Sequence, residues 1–287
     1  MAAVASGTLP LKIEVVSDNI CPFCFIGWRK LERALAASPY VAGSQARNAQ
    51  GTKPAFTPQI EFKPFQLDPT LPTDSALDKR QHYLRKFGPR FNQMEPMMKM
   101  RGSEVGINFV YDGPLRNTTL SHRLMEKAFE QGGWDQQRKL LDELFPAYFE
   151  KSQDIGDPAT LARLSVTSGL FATEAEAQVF LSSDEFADEV ERAYREAQAK
   201  NISGVPHFTI SALRPDDEVA AASPTFRPFL RSVVSGAQEP ETFVTLIETM
   251  AKKAAEKGFV GADGGPAGVA VDDAKGDSCA LDGSKTC

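Results

Sequence analysis

Two cysteines separated by two residues, Cys21-Pro22-Phe23-Cys24, carry the most specific chemistry in the sequence. They follow an apolar, β-rich run, Leu11 to Asp18, and open an amphipathic one, so a strand is expected to end where a helix begins. The free N–H groups and positive dipole end of a helix N-terminus favour a thiolate, the form that attacks a disulfide. Cys21 would stand at that terminus. Cys24, one turn inward on the same face, would be shielded and able to attack a mixed disulfide formed on Cys21. Pro22 suits a first helical turn, where its missing N–H costs nothing. Phe23 offers neither proton nor charge, so any stabilisation of the Cys21 anion must come from the helix terminus and from other neighbours.

Other uses of a CxxC pair stay open at this point. Half of a zinc site would need a second pair or two histidines, whereas the other cysteines are Cys279 and Cys287, with seven residues between them, and His82, His122 and His207 stand far from one another. No metal site is expected on that spacing. A structural disulfide, or two inert buried thiols, would also satisfy the pattern.

The elements that must hold the pair can be read from periodicity. Phe25 to Leu35 predicts a helix with Leu31, Ala34 and Leu35 inward, ended by Pro39, and residues 41 to 57 read as a surface excursion. Ile60 to Phe65 alternates as a second strand, completing a βαβ unit. From about Ser75 to Lys200 the signals are helical. Leu120, Leu124, Ala128 and Phe129 share one face, Leu140 to Phe149 a second, and Phe186, Val190, Tyr194 and Ala197 a third. Asp157-Pro158 predicts a helix start. Strands return at Val205 to Ile210 and Phe229 to Val234, with a loop from Ser211 to Pro228 between them. A last helix carries Phe243, Leu246, Ile247 and Met250, and beyond Gly258 the Gly-, Ala- and Asp-rich sequence predicts a poorly ordered tail.

With 287 residues, 42% of them hydrophobic and 24% charged, the chain has ample material for a core. A net charge of -6 argues against binding nucleic acid, which needs a basic face. Neither a basic, apolar leader nor a run long enough to span a membrane is visible, so the expected setting is the cytoplasm, where thiols are kept reduced.

The order βα(CxxC)β, helices, β, β, α resembles the DsbA-like thioredoxin-fold family, in particular its FrnE-type oxidoreductases and 2-hydroxychromene-2-carboxylate isomerases. The residues that carry the likeness are Ser17 to Gly27, Gly113 to Thr118 with Ser121 to Leu124, Gly204 to Phe208, and Ser235 to Gln238. The resemblance implies an α/β thioredoxin fold with a large all-helical domain inserted between its βαβ and ββα halves. The thioredoxin-like part would cover residues 10–68 and 203–257, the insert 69–202, and the cysteine-containing tail 258–287. It further implies that Pro206 is a cis proline facing the dithiol, that Val205 contacts substrate, and that Asn117 and His122 lie on the helical domain near the cleft, where either could touch a ligand. His207 reads as a packed strand residue, and Asp18 as the residue that sets the turn before the helix.

The isomerase and kappa-class transferase branches carry serine at the first cysteine position, where this chain has Cys21. Cys279 and Cys287 fall outside the family fold and could form an auxiliary dithiol exchanging electrons with Cys21 and Cys24, or be incidental thiols. The leading expectation is a thiol-disulfide oxidoreductase acting on protein or small-molecule disulfides, needing no cofactor, with glutathione or a thioredoxin-type reductant recycling it. The alternatives are a glutathione-dependent isomerase or transferase acting on a small aromatic substrate, and a non-catalytic binding module. The FrnE-type relatives also make a homodimer an expectation.

Overall fold

The computed structural model describes residues 7–46, 52–214 and 228–261. Its sheet has the strand order β2-β1-β5-β6. Strand β1 (Leu9–Ser17) lies inside it, parallel to β2 (Phe56–Pro64) and antiparallel to β5 (His207–Ala212), which pairs antiparallel with β6 (Leu230–Ser235). A parallel neighbour requires a crossover, and helix α1 (Pro22–Ala37) supplies it.

Leu11, Ile13 and Val15 alternate inward along β1 and are buried. So are Phe208 and Ile210 of β5. Helix α8 (Pro240–Glu256) returns beside α1, and the Phe208 and Phe243 rings meet edge to face at 5.0 Å. Gly27 allows α1 to approach β5 closely, because a Cβ there would stand 2.8 Å from Pro206 Cγ.

Between β2 and β5 the chain forms a short pairing of β3 (Leu77–Asp78) with β4 (Pro114–Leu115) and a set of helices. These are α2 (Lys79–Phe87), α3 (Phe91–Glu104), α4 (Thr119–Phe149), α5 (Pro158–Thr167), α6 (Glu174–Ser182) and α7 (Ala187–Ala199). Aromatic packing ties them to the sheet unit. Phe25 of α1 stacks on Phe145 at 4.7 Å and on Phe149 at 5.8 Å, and Trp28 meets Trp134 at 4.9 Å and Phe62 at 5.6 Å. Each such pair adds roughly 0.5–1.5 kcal/mol beyond its buried area. Gln137, fully buried on α4, receives the Phe62 N–H on its Oε1 at 2.7 Å and donates Nε2 to the Phe62 carbonyl at 3.0 Å. It thereby occupies the outward backbone groups of Phe62 on the edge strand β2.

Several details depart from the periodicity reading. Strand β2 begins at Phe56, inside the stretch read as an excursion. Strand β5 begins at His207, since Pro206 has no N–H for the ladder, and runs to Ala212. The two faces assigned within 120–149 belong to α4, kinked at Gly132 and Gly133, the latter at φ 59°. Phe186 precedes α7 as its left-handed cap, φ 63°, and lies outside the helix. The Asp157 start holds as read: its carboxylate accepts the Thr160 N–H at 2.9 Å. Among the described residues no helix is long and apolar enough to cross a membrane. Cys279 and Cys287 lie outside the described residues.

Candidate active site

Cys21 is the N-cap of α1, with extended backbone (φ -88°, ψ 114°), Pro22 in the first turn and no acidic side chain there. Its backbone N–H donates to the Asp18 carbonyl at 3.0 Å, and its carbonyl accepts the Cys24 N–H at 3.0 Å, closing the turn that brings the two cysteines to one face. The Cys21 thiol donates to the Val205 carbonyl at 3.6 Å. The Val205–Pro206 peptide is cis. The segment before β5 therefore lies directly against the first sulfur.

Both cysteines are free thiols. Cys21 is 3% exposed and Cys24 1%. Burial is the main cause that pushes the Cys24 thiol well above its ordinary value, reinforced by hydrogen bonding and charge repulsion from Cys21. The Ser17 hydroxyl and the Asp18 backbone N–H act against that rise. Phe23, between the cysteines, is 37% exposed, and the Arg101 guanidinium of α3 lies 5.9 Å from its ring centroid.

Asp18 is completely buried and organises the loop. Its Oδ2 accepts the Leu67 N–H at 2.7 Å, and its Oδ1 accepts the Ile20 N–H at 3.4 Å and faces His122 Nε2 at 3.3 Å. The same Nε2 is 3.0 Å from the Phe65 carbonyl. His122 thus joins α4 to the loops before α1 and after β2. Asn19 adds a second tie from the loop to α4, through Ser121 Oγ at 2.9 Å.

The structure brings Cys21, Cys24, Val205 and Pro206 together and puts His122 one step behind them, through Asp18. Asn117 is buried and engaged locally, donating to the Leu71 carbonyl at 3.3 Å and accepting the Thr119 N–H at 2.9 Å at the start of α4. Arg116 pairs with Asp154 at 3.0 Å. His207 sits on the far face of the sheet, its Nδ1 3.3 Å from Ser235 Oγ. There it lines a cleft of about 400 Å³ with Lys63, Lys200 and Arg231, and burial, Arg231 and Lys200 lower its basicity.

Periodicity gave no hint of two further groups, Tyr83 and Lys79. Tyr83 of α2 feels the charges of Cys21 and Asp18, and burial is the first cause raising its phenol to about 12. Lys79, one turn earlier and buried, donates to the Tyr148 carbonyl at 2.8 Å and stands 3.8 Å from the Tyr148 ring centroid. Among the described residues no cluster of histidine, cysteine and carboxylate side chains could hold a metal ion.

Residues 12–248 match the DSBA-like thioredoxin domain. The chain belongs to the DsbA-like thioredoxin family. This DsbA-like chain is 25% identical over 208 residues to the uncharacterised protein YwbO of Bacillus subtilis, covering 70% of this chain and 88% of that one. It is similar to the crystal structure of a probable DsbA oxidoreductase, SCO1869, from Streptomyces coelicolor, with 25% identity, TM-score 0.64, and 83% and 89% of the two chains covered. A 2-hydroxychromene-2-carboxylate isomerase shares the fold at 14% identity and TM-score 0.52, with 86% and 98% covered. The α/β class and the family read from the motifs therefore hold.

Proposed function

We propose that this DsbA-like protein is a thiol-disulfide oxidoreductase in which Cys21 exchanges with substrate and Cys24 resolves. The observation that carries the reading is the asymmetry of the pair. Cys21 caps the helix against the Val205 carbonyl, while Cys24 lies one turn deeper and is kept as a thiol by burial. In the reducing direction the Cys21 thiolate attacks a disulfide R–S–S–R′, forming Cys21–S–S–R and releasing R′S⁻. Cys24 then attacks the Cys21 sulfur, the Cys21–SR bond breaks, and RS⁻ leaves. The dithiol loses two electrons and the substrate disulfide gains them.

In this reading Val205 and Pro206 present the substrate beside Cys21, and His122 and Asn117 hold the surrounding loops. Substrates are protein or small-molecule disulfides, a thiol such as glutathione returns the pair to the dithiol, and a cytoplasmic setting suits that cycle. The test is insulin reduction and glutathione exchange with Cys21→Ser. Loss of both is expected. Full activity in the variant would remove the assignment, and a glutathione-dependent isomerisation surviving in Cys24→Ser would transfer it to the isomerase reading.

A further inference from the structure

Phe208 of β5 faces Gly27 of α1, so its strand neighbours His207 and Thr209 point to the other side of the sheet. On that side lies the cleft of about 400 Å³, which the dithiol chemistry does not use. Its floor takes Glu14 and Val16 from β1, Lys63 from β2, His207 and Thr209 from β5, and Arg231 and Val233 from β6. The C-terminal half of α7, with Lys200 and Ile202 after it, forms the wall. Small-molecule pockets run from roughly 300 to 1,000 Å³, and this one falls among them.

The charges around the cleft pair off with one exception. Lys63 pairs with Glu61, Glu14 faces Lys12 Nζ at 3.6 Å, and Glu196 faces Lys200 Nζ at 3.7 Å. Arg231 has no carboxylate partner among the described residues. One guanidinium is therefore left over, in a chain whose net charge is -6. His207 adds no further cation, because burial and then the charges of Arg231 and Lys200 hold its basicity below the ordinary value. Between the charged groups lie Val16, Ala193, Ala197, Ile202 and Val233, the last 52% exposed. Covering such surface with an apolar body is favourable.

We infer that this cleft is a binding site for a small organic monocarboxylate, its carboxylate on Arg231 beside His207 and its apolar body over Val233 and Val16 against α7. A guanidinium presents parallel N–H donors that match a planar carboxylate. Glu14 and Glu196 border the same space and repel a second negative charge, which selects against phosphate esters and nucleotides. The charged groups around His207 are Glu14 on β1, Lys63 on β2, Glu196 and Lys200 on the α7 wall, and Arg231 on β6. None of these residues takes part in the exchange reaction, so the site stands independently of the dithiol reading.

The test is calorimetric titration of the full chain with octanoate, butyrate and inorganic phosphate, together with proton NMR of the His207 ring. Octanoate should bind one to one, and about tenfold or more tightly than butyrate, which is too short to cover the apolar floor. Phosphate should bind more weakly than octanoate. Arg231→Gln should weaken octanoate about tenfold or more, as loss of a charge-assisted contact does, and Glu14→Gln should tighten it. Val233→Asp, which places a charge on the apolar floor, should also weaken it. Saturating octanoate should raise the His207 pKa, since a neighbouring anion favours the imidazolium, and the rise should vanish in Arg231→Gln. Absence of saturable octanoate binding would overturn the inference, as would equal binding by wild type, Arg231→Gln and Val233→Asp, or phosphate binding as tight as octanoate. Cys21→Ser should bind octanoate like the wild type, so that loss of exchange and loss of this site are read separately.

Discussion

His122 Nε2 and Asp18 Oδ1 lie 3.3 Å apart, joining α4 to the loop that sets Cys21. Both side chains are buried, and the Asp18 backbone carbonyl holds the Cys21 N–H. Replacing His122 by alanine leaves a buried carboxylate short of a partner, at a cost of about 2 kcal/mol. His122→Ala should lower the urea midpoint and slow adduct formation at Cys21 together. Unchanged stability would show that water replaces the imidazole without penalty.

Resolution by Cys24 should accelerate with pH. Burial keeps the Cys24 pKa well above its ordinary 9.0, so the reactive thiolate fraction continues to grow through that pH. The decay of the Cys21 adduct should rise steadily across 9.0, and a plateau below it would contradict the assignment of Cys24 as the resolving thiol.

Lys79 gives a second pH signature, in stability. Burial lowers its pKa from 10.5 to about 8, against the opposing pull of Asp112. Between those values the unfolded chain holds the proton and the folded chain does not, so the lysine's contribution to folding stability rises with pH from about 8 to 10.5. Relative to Lys79→Met, the wild type should gain on the order of 2–3 kcal/mol across that window in urea unfolding. A difference independent of pH would mean that Lys79 keeps its ordinary basicity.

Gly27→Ala probes the seat of Pro206. The added Cβ would stand 2.8 Å from Pro206 Cγ and 3.3 Å from Phe208 Cζ, both fixed in the core. Overpacking of this kind costs about 1–3 kcal/mol. The variant should melt lower and exchange more slowly, since Val205 would be displaced from Cys21. A normal exchange rate would show that the Val205 contact is unimportant to the reaction.

The dithiol was legible because a CxxC pair between a strand pattern and a helix pattern is a local signal, and the strand read over Val205 to Ile210 was found, from His207 onward. The contacts that complete the site were not. Ser17, Asp18 and His122 are brought together from positions 17, 18 and 122, and nothing in the spacing of Ser121-His122-Arg123 says which residue points at the loop. The position of His122 near the site came from the family likeness; its engagement with Asp18 needed the fold. Gln137 was invisible for a related reason, since a glutamine in the polar run Asp135-Gln136-Gln137-Arg138-Lys139 reads as solvent-facing until a strand edge is found beside it. Helix α4 was divided in the reading because the kink at Gly132 and Gly133 breaks the periodicity on which faces are judged.

Gln137 has a meaning for how copies of this protein behave towards one another. The outermost strand of an open sheet is a template on which another chain can extend the ladder, a route to uncontrolled association. By occupying both the N–H and the carbonyl of Phe62, one amide side chain withdraws that position of β2 from recruitment. The helix that carries Gln137 thus guards that position of the sheet's first edge against a further strand.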